Sequence, residues 1–149
     1  MQTDGVTMSL KLEDVMVRNV VSVKGTMTIE NAVKLMNDHR IGSLVVVENG
    51  KPAGIVTERD MLTRVLLASK DPKKTKVGKV MSQPLIVGTT QMKLEEAVRL
   101  MIEHKIKKLP VTKDGNLVGL MTLTDVLHLQ PQLLRIYGIL SDNITTKIR

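Results

Sequence analysis

A threonine stands three residues ahead of an aspartate at two matching places in the chain. "GIVTERDML" (54–62) holds Thr57 and Asp60, and "GLMTLTDVL" (119–127) holds Thr122 and Asp125. In each copy the pair falls where an apolar run ends and a helical pattern begins. That spacing suits a capping box, in which each side chain satisfies a free backbone N–H at the helix start. Taken alone, the motif reads as a cap. Whether it also binds something depends on the elements around it.

The other groups with chemical potential are cationic. Lys105, Lys107 and Lys108 cluster before the second motif, and Lys73, Lys74, Lys76 and Lys79 lie between the two copies. The formal charge is +7, from 22 Lys+Arg against 15 Asp+Glu, a balance that attracts phosphate in any form. There is no cysteine, hence no thiolate metal site or nucleophile. The three histidines form no ligand cluster, and His39 and His104 suit helix C-termini. Gly-rich phosphate loops, nucleophile elbows and zinc-protease motifs are missing, so an enzyme is not expected and no catalytic or metal residue is assigned. With Tyr137 the sole aromatic residue, base stacking on aromatic platforms is excluded. No apolar run reaches membrane-spanning length, and the start does not read as a signal peptide, so a cytoplasmic protein is expected.

The elements that position these groups come from a duplication. Sliding the chain by 65 residues aligns Val15 with Val80 and Leu62 with Leu127 without a gap. Met16 and Met81, Ala32 and Ala97, Gly54 and Gly119, Thr57 and Thr122, and Asp60 and Asp125 are among the identical pairs. In the first copy "NVVSV" reads as a strand and "TIENAVKLMNDHR" as a helix capped by Thr28. Two runs split by "ENGKP" form a hairpin, and "ERDMLTRVLLASK" closes the unit as a second helix. The second copy matches with "PLIVG", "KLEEAVRLMIEHK", "KLPVTKDGNLVGLMT" and "LTDVLHL".

The expected fold is α+β: two β-α-β-β-α repeats that bury each other's bare sheet faces. The repeats span 10–69 and 76–130, with a charged linker at 70–75. A C-terminal helix and tail at 131–149 offers an apolar face of Leu133, Leu134, Ile136, Tyr137 and Leu140.

The ordered set "DVMVRNVVSV", "ENAVKLM" and "HRIGSLVVVENGKPAGIVTERD", answered by "KVMSQPLIV", "EEAVRLM" and "HKIKKLPVTKDGNLVGLMTLTD", resembles the cystathionine-β-synthase (CBS) domain in tandem, a Bateman module. The resemblance covers roughly residues 10 to 130. It implies repeats packed about a pseudo-twofold axis, with two clefts for adenosine compounds such as AMP, ADP, ATP or S-adenosylmethionine. It also implies a homodimer. The aspartates carried over as ribose ligands are Asp60 and Asp125, beside Thr57 and Thr122. Lys107 and Lys108 would face a phosphate in the Asp60 cleft, with Arg59 adding a planar fork, and Gly42 and Ser43 would face Asp125. Chemistry agrees, since a carboxylate can accept from both hydroxyls of a diol.

Within this framework the ribose reading outweighs the cap. The two sites are expected to be unequal, the Asp60 cleft favouring charged nucleotides and the Asp125 cleft an uncharged adenosine compound. The leading expectation is a stand-alone sensor without a catalytic cofactor, acting on an unknown effector protein. The alternatives are a nucleic-acid-binding protein and a ligand-independent oligomerisation module.

Overall fold

In the first repeat, α1 (Leu12–Val15) precedes β1 (Ser22–Lys24), α2 (Ile29–His39), β2 (Ser43–Glu48), β3 (Lys51–Thr57) and α3 (Glu58–Asp60). The second supplies β4 (Gly88–Thr89), α4 (Leu94–Glu103), β5 (Lys108–Lys113), β6 (Asn116–Thr122) and α5 (Leu123–Leu129). The chain is thus a mixed α+β protein with two three-stranded sheets, ordered β1-β2-β3 and β4-β5-β6. These elements come from a computed structural model that describes residues 10–83 and 85–129. The helix expected at 131–149 lies outside the described residues.

Local chemistry explains the boundaries. Thr28 Oγ1 accepts from the Asn31 N–H at 3.3 Å, opening α2, whose Ile29, Ala32 and Met36 turn inward at helical spacing. The helix stops at Arg40, a left-handed residue whose N–H returns to the carbonyls of Asn37 and Met36. Both hairpins turn on two consecutive positive-φ residues, Asn49-Gly50 and Asp114-Gly115, the conformation a tight hairpin requires. Ala53 is the extra residue of a bulge, because Val46 pairs with Gly54 while Val47 pairs with Pro52.

Two expectations are corrected. "PLIVG" pairs as a strand only from Gly88 onward; Ile86 packs its side chain on a core, and the chain passes from one compact unit to the other at 85/86. The helix expected over "ERDMLTRVLLASK" widens to π geometry across Met61–Leu66, with Leu67 N–H reaching Leu62 O at 2.8 Å. Val65 is kept in the core while Leu66 and Leu67 remain 72% and 78% exposed. The segment expected as a charged linker is exposed at 71–74, and backbone hydrogen bonds tie it and the residues after it to the first repeat. Ile29 N–H bonds Thr75 O, Glu30 N–H bonds Pro72 O, Val77 N–H bonds Met27 O and Gly78 N–H bonds Gly25 O, all at 2.8–3.0 Å.

The compact units do not follow chain order. One comprises Val20–Leu85 with Gly115–Leu117; the other contains residues 10–19, 86–114 and 118–129. Val77 and Val80 are therefore buried with Val23, Leu44, Val46 and Val56. Likewise Leu12 and Met16 are buried with Leu94, Met101, Leu109 and Met121. Each core is completed by the lead-in segment of the other repeat.

Candidate functional site

Thr57 ends β3 in an extended conformation, and the chain turns directly into α3. The capping box is formed in full. Asp60 N–H donates to Thr57 Oγ1 at 3.3 Å, and Asp60 Oδ2 accepts from the Thr57 N–H at 2.8 Å and its hydroxyl at 3.1 Å. On the other oxygen, Oδ1 lies 3.6 Å from Arg64 Nε, one turn along. Asp60 is only 8% exposed. A carboxylate has about four acceptor sites, and two of these are taken on Oδ2, so any further donor is directed to Oδ1.

The twin is built differently. Asp125 N–H donates to Thr122 Oγ1 at 3.1 Å, but Asp125 Oδ2 is buried without a hydrogen-bond partner. In sequence, Leu129 stands where Arg64 would be, and Thr124 where Arg59 would be. A buried acceptor left unpaired costs about 1–3 kcal/mol and marks a place where a donor is missing.

The remaining expected residues divide between the units. Gly42 and Ser43 open β2 beside Thr57, with Ser43 paired to Thr57 in the sheet and Gly42 O accepting the Glu58 N–H at 3.0 Å. A Cβ on Gly42 would lie 2.7 Å from Glu58 Oε1, the far end of an exposed side chain that would have to move aside. Arg59 is exposed on α3. In the other unit, Lys107 O accepts the Leu123 N–H at 2.9 Å, which sets exposed Lys107 and partly buried Lys108 at the sheet end carrying Thr122 and Asp125. Within each unit the threonine, the aspartate and the first residues of the central strand thus share one sheet end.

Two residues escaped the sequence reading. Arg64 binds Asp60 and also donates to Val80 O at 2.9 Å and Met81 O at 3.3 Å. Its signal was the four-residue spacing from Asp60 on one helix face. Glu58 borders a cavity of about 550 Å³ with Arg40 and Asn37 on its rim and Met36, Ile41 and Met61 in its walls; a lone exposed glutamate gives no such signal. Among the described residues no group of three or more His, Asp or Glu side chains could hold a metal ion. No described helix is long and apolar enough to cross a membrane.

Two sheets of one design, each ending in a Thr-x-x-Asp turn, define a duplicated α+β binding-type module. The chain belongs to the CBS domain family, whose model matches residues 12–67 and 77–131. It is 38% identical over 115 residues to the CBS domain-containing protein YhcV of Bacillus subtilis, covering 77% of this chain and 81% of that protein. It is 37% identical over 127 residues to an uncharacterised protein of Methanopyrus kandleri, covering 84% of this chain but only 65% of that longer relative. The fold also matches the crystallised CBS domain pair of protein MJ0100, with TM-score 0.72, 23% identity, and coverage of 83% of this chain and 97% of that one.

Proposed function

We propose that this CBS pair is a regulatory module that binds an adenosine compound, either an adenine nucleotide or an S-adenosyl compound, and changes its conformation or partner surface in response. Asp60 and Asp125 are the ribose ligands in this reading, with Thr57 and Thr122 fixing them. Arg59, Lys107 and Lys108 supply positive charge to a phosphate, and Gly42 and Ser43 supply close backbone approach to the ligand. The protein acts as a sensor rather than a catalyst, in the cytoplasm, on an effector protein. The protein acts as a homodimer in this reading.

The observation that carries this reading is the unused acceptor capacity at Asp125. A carboxylate at a helix start, with one buried oxygen lacking a donor, is suited to a vicinal diol that brings two donors together. The MJ0100 pair supports it by fold alone: that protein was crystallised with 5'-methylthioadenosine and S-adenosylmethionine. Coupling to a partner requires the ligand to bind one arrangement of the protein better than another.

The test is isothermal titration of nucleotide-free protein with AMP, ATP and S-adenosylmethionine, repeated on Asp60→Ala and Asp125→Ala. Saturable binding to one compound, lost in at least one variant, is expected. Absence of binding to all three, or binding indifferent to both substitutions, overturns the reading. RNA or DNA affinity that falls steeply with salt and ignores both aspartates would transfer the function to nucleic acid.

A further inference from the structure

The hairpin end of the first sheet, away from Thr57 and Asp60, carries a second set of groups that the adenosine reading does not use. β2 starts at Ser43 opposite Thr57 and ends at Glu48, so the two ends are separated by roughly 17 Å of strand. There a cavity of about 780 Å³ is lined by Lys24 at the end of β1 and Thr26 just beyond it, by Glu48 and Asn49 of the hairpin, and by Lys76 and Lys79.

The frame around this cavity is fixed. The backbone bonds from Val77 to Met27 and from Gly78 to Gly25 hold the Lys76–Lys79 turn against the end of β1. A Cβ on Gly78 would lie 3.2 Å from Gly25 O, so the two segments approach as closely as bare backbone allows. Three lysines from two chain segments are thereby kept around one hollow. None of them makes an ion pair or a side-chain hydrogen bond among the described residues. The single acid in the lining, Glu48, leaves an excess of two positive charges.

We infer that this cavity binds a linear run of phosphate groups. Lysine ammonium groups are compact point charges that suit phosphate oxygens, and no arginine fork is present in the lining to select a planar carboxylate. The hollow is far larger than one phosphate, and a chain of phosphates meets cations on both walls at once. The hydroxyl of Thr26 and the amide of Asn49 add neutral donors. No aromatic side chain lines the cavity, so recognition rests on the phosphates and not on a base. The inorganic chain and the 5'-triphosphate of a nucleotide present the same chemistry.

The test uses the full chain carrying Asp60→Ala and Asp125→Ala, so that the adenosine site and this one are read separately. Inorganic tripolyphosphate and ATP are titrated at low and at physiological salt. At least one is expected to bind, more weakly as salt rises. Lys24→Gln, Lys76→Gln and Lys79→Gln together should weaken it by about tenfold or more, while Glu48→Gln should tighten it. Whichever of the two probes binds identifies the source of the phosphate run. A control triple variant, Lys70→Gln, Lys73→Gln and Lys74→Gln, removes equal charge outside the lining and should have a much smaller effect. Equal losses in both triple variants, binding of a short RNA but of neither triphosphate, or no binding at all would overturn the inference.

Discussion

Met81 packs its sulfur where a side chain on Gly54 would begin: a Cβ at Gly54 would lie 2.6 Å from Met81 Sδ and 2.9 Å from Ser82 O. In the other unit Met16 occupies the same place over Gly119. Gly54→Ala meets backbone as well as side chain, so it should destabilise the fold by about 1–3 kcal/mol. The three atoms nearest a Cβ on Gly119 all belong to Met16, so Met16→Ala should rescue Gly119→Ala more fully than Met81→Ala rescues Gly54→Ala. Urea unfolding of the four single and two double variants measures both couplings.

The two aspartates should separate cap from ligand. Asp60 satisfies the Thr57 N–H, so Asp60→Ala should cost about 0.5–2 kcal/mol of stability in the absence of any ligand. Asp125 holds an oxygen with no donor, so Asp125→Ala should cost much less. Equal losses in thermal or urea unfolding would refute this asymmetry.

Arg64 is half exposed, and its 3.6 Å pair with Asp60 contributes little once solvent screening is counted. Its bonds to Val80 O and Met81 O matter more, because they tie the π-helical turn to the segment that completes the core. Arg64→Met should therefore destabilise by about 1 kcal/mol, nearly independently of salt. A loss that disappears in about 1 M salt would instead assign the effect to the ion pair.

At the turn between β2 and β3, Gly50 adopts φ of +80°. Gly50→Ala should cost roughly 1 kcal/mol by strain, and the cost should not depend on an adenosine compound that lacks phosphate. Differential scanning calorimetry with and without ligand checks this.

Much of this architecture was legible because it is local or periodic. The hairpins were marked by Asn49-Gly50 and Asp114-Gly115, α2 by its inward stripe and Thr28, and the duplication by an ungapped offset. The offset even paired Met16 with Met81 and Gly54 with Gly119. It could not show that each methionine packs on the glycine of the opposite repeat, because periodicity records what recurs and not what touches. The π-helical widening after Asp60 was hidden for a related reason: Met61, Leu62, Val65 and Leu66 also fit the spacing of an ordinary α-helix. At the candidate site the motif was visible, but its asymmetry lay in Arg64 and Leu129, outside the motif itself.

The exchange of lead-in segments has a consequence for biosynthesis. During synthesis Leu12 and Met16 precede the buried residues they pack with, which run from Leu94 to Val126. The Val20–Leu85 stretch, by contrast, carries its own buried cluster, from Val23 to Val80. Leu12 and Met16 must therefore wait for roughly 110 further residues before their core is complete, at rates of about 5–20 residues per second a delay of roughly 5–20 s. That segment is made before its core and placed after it.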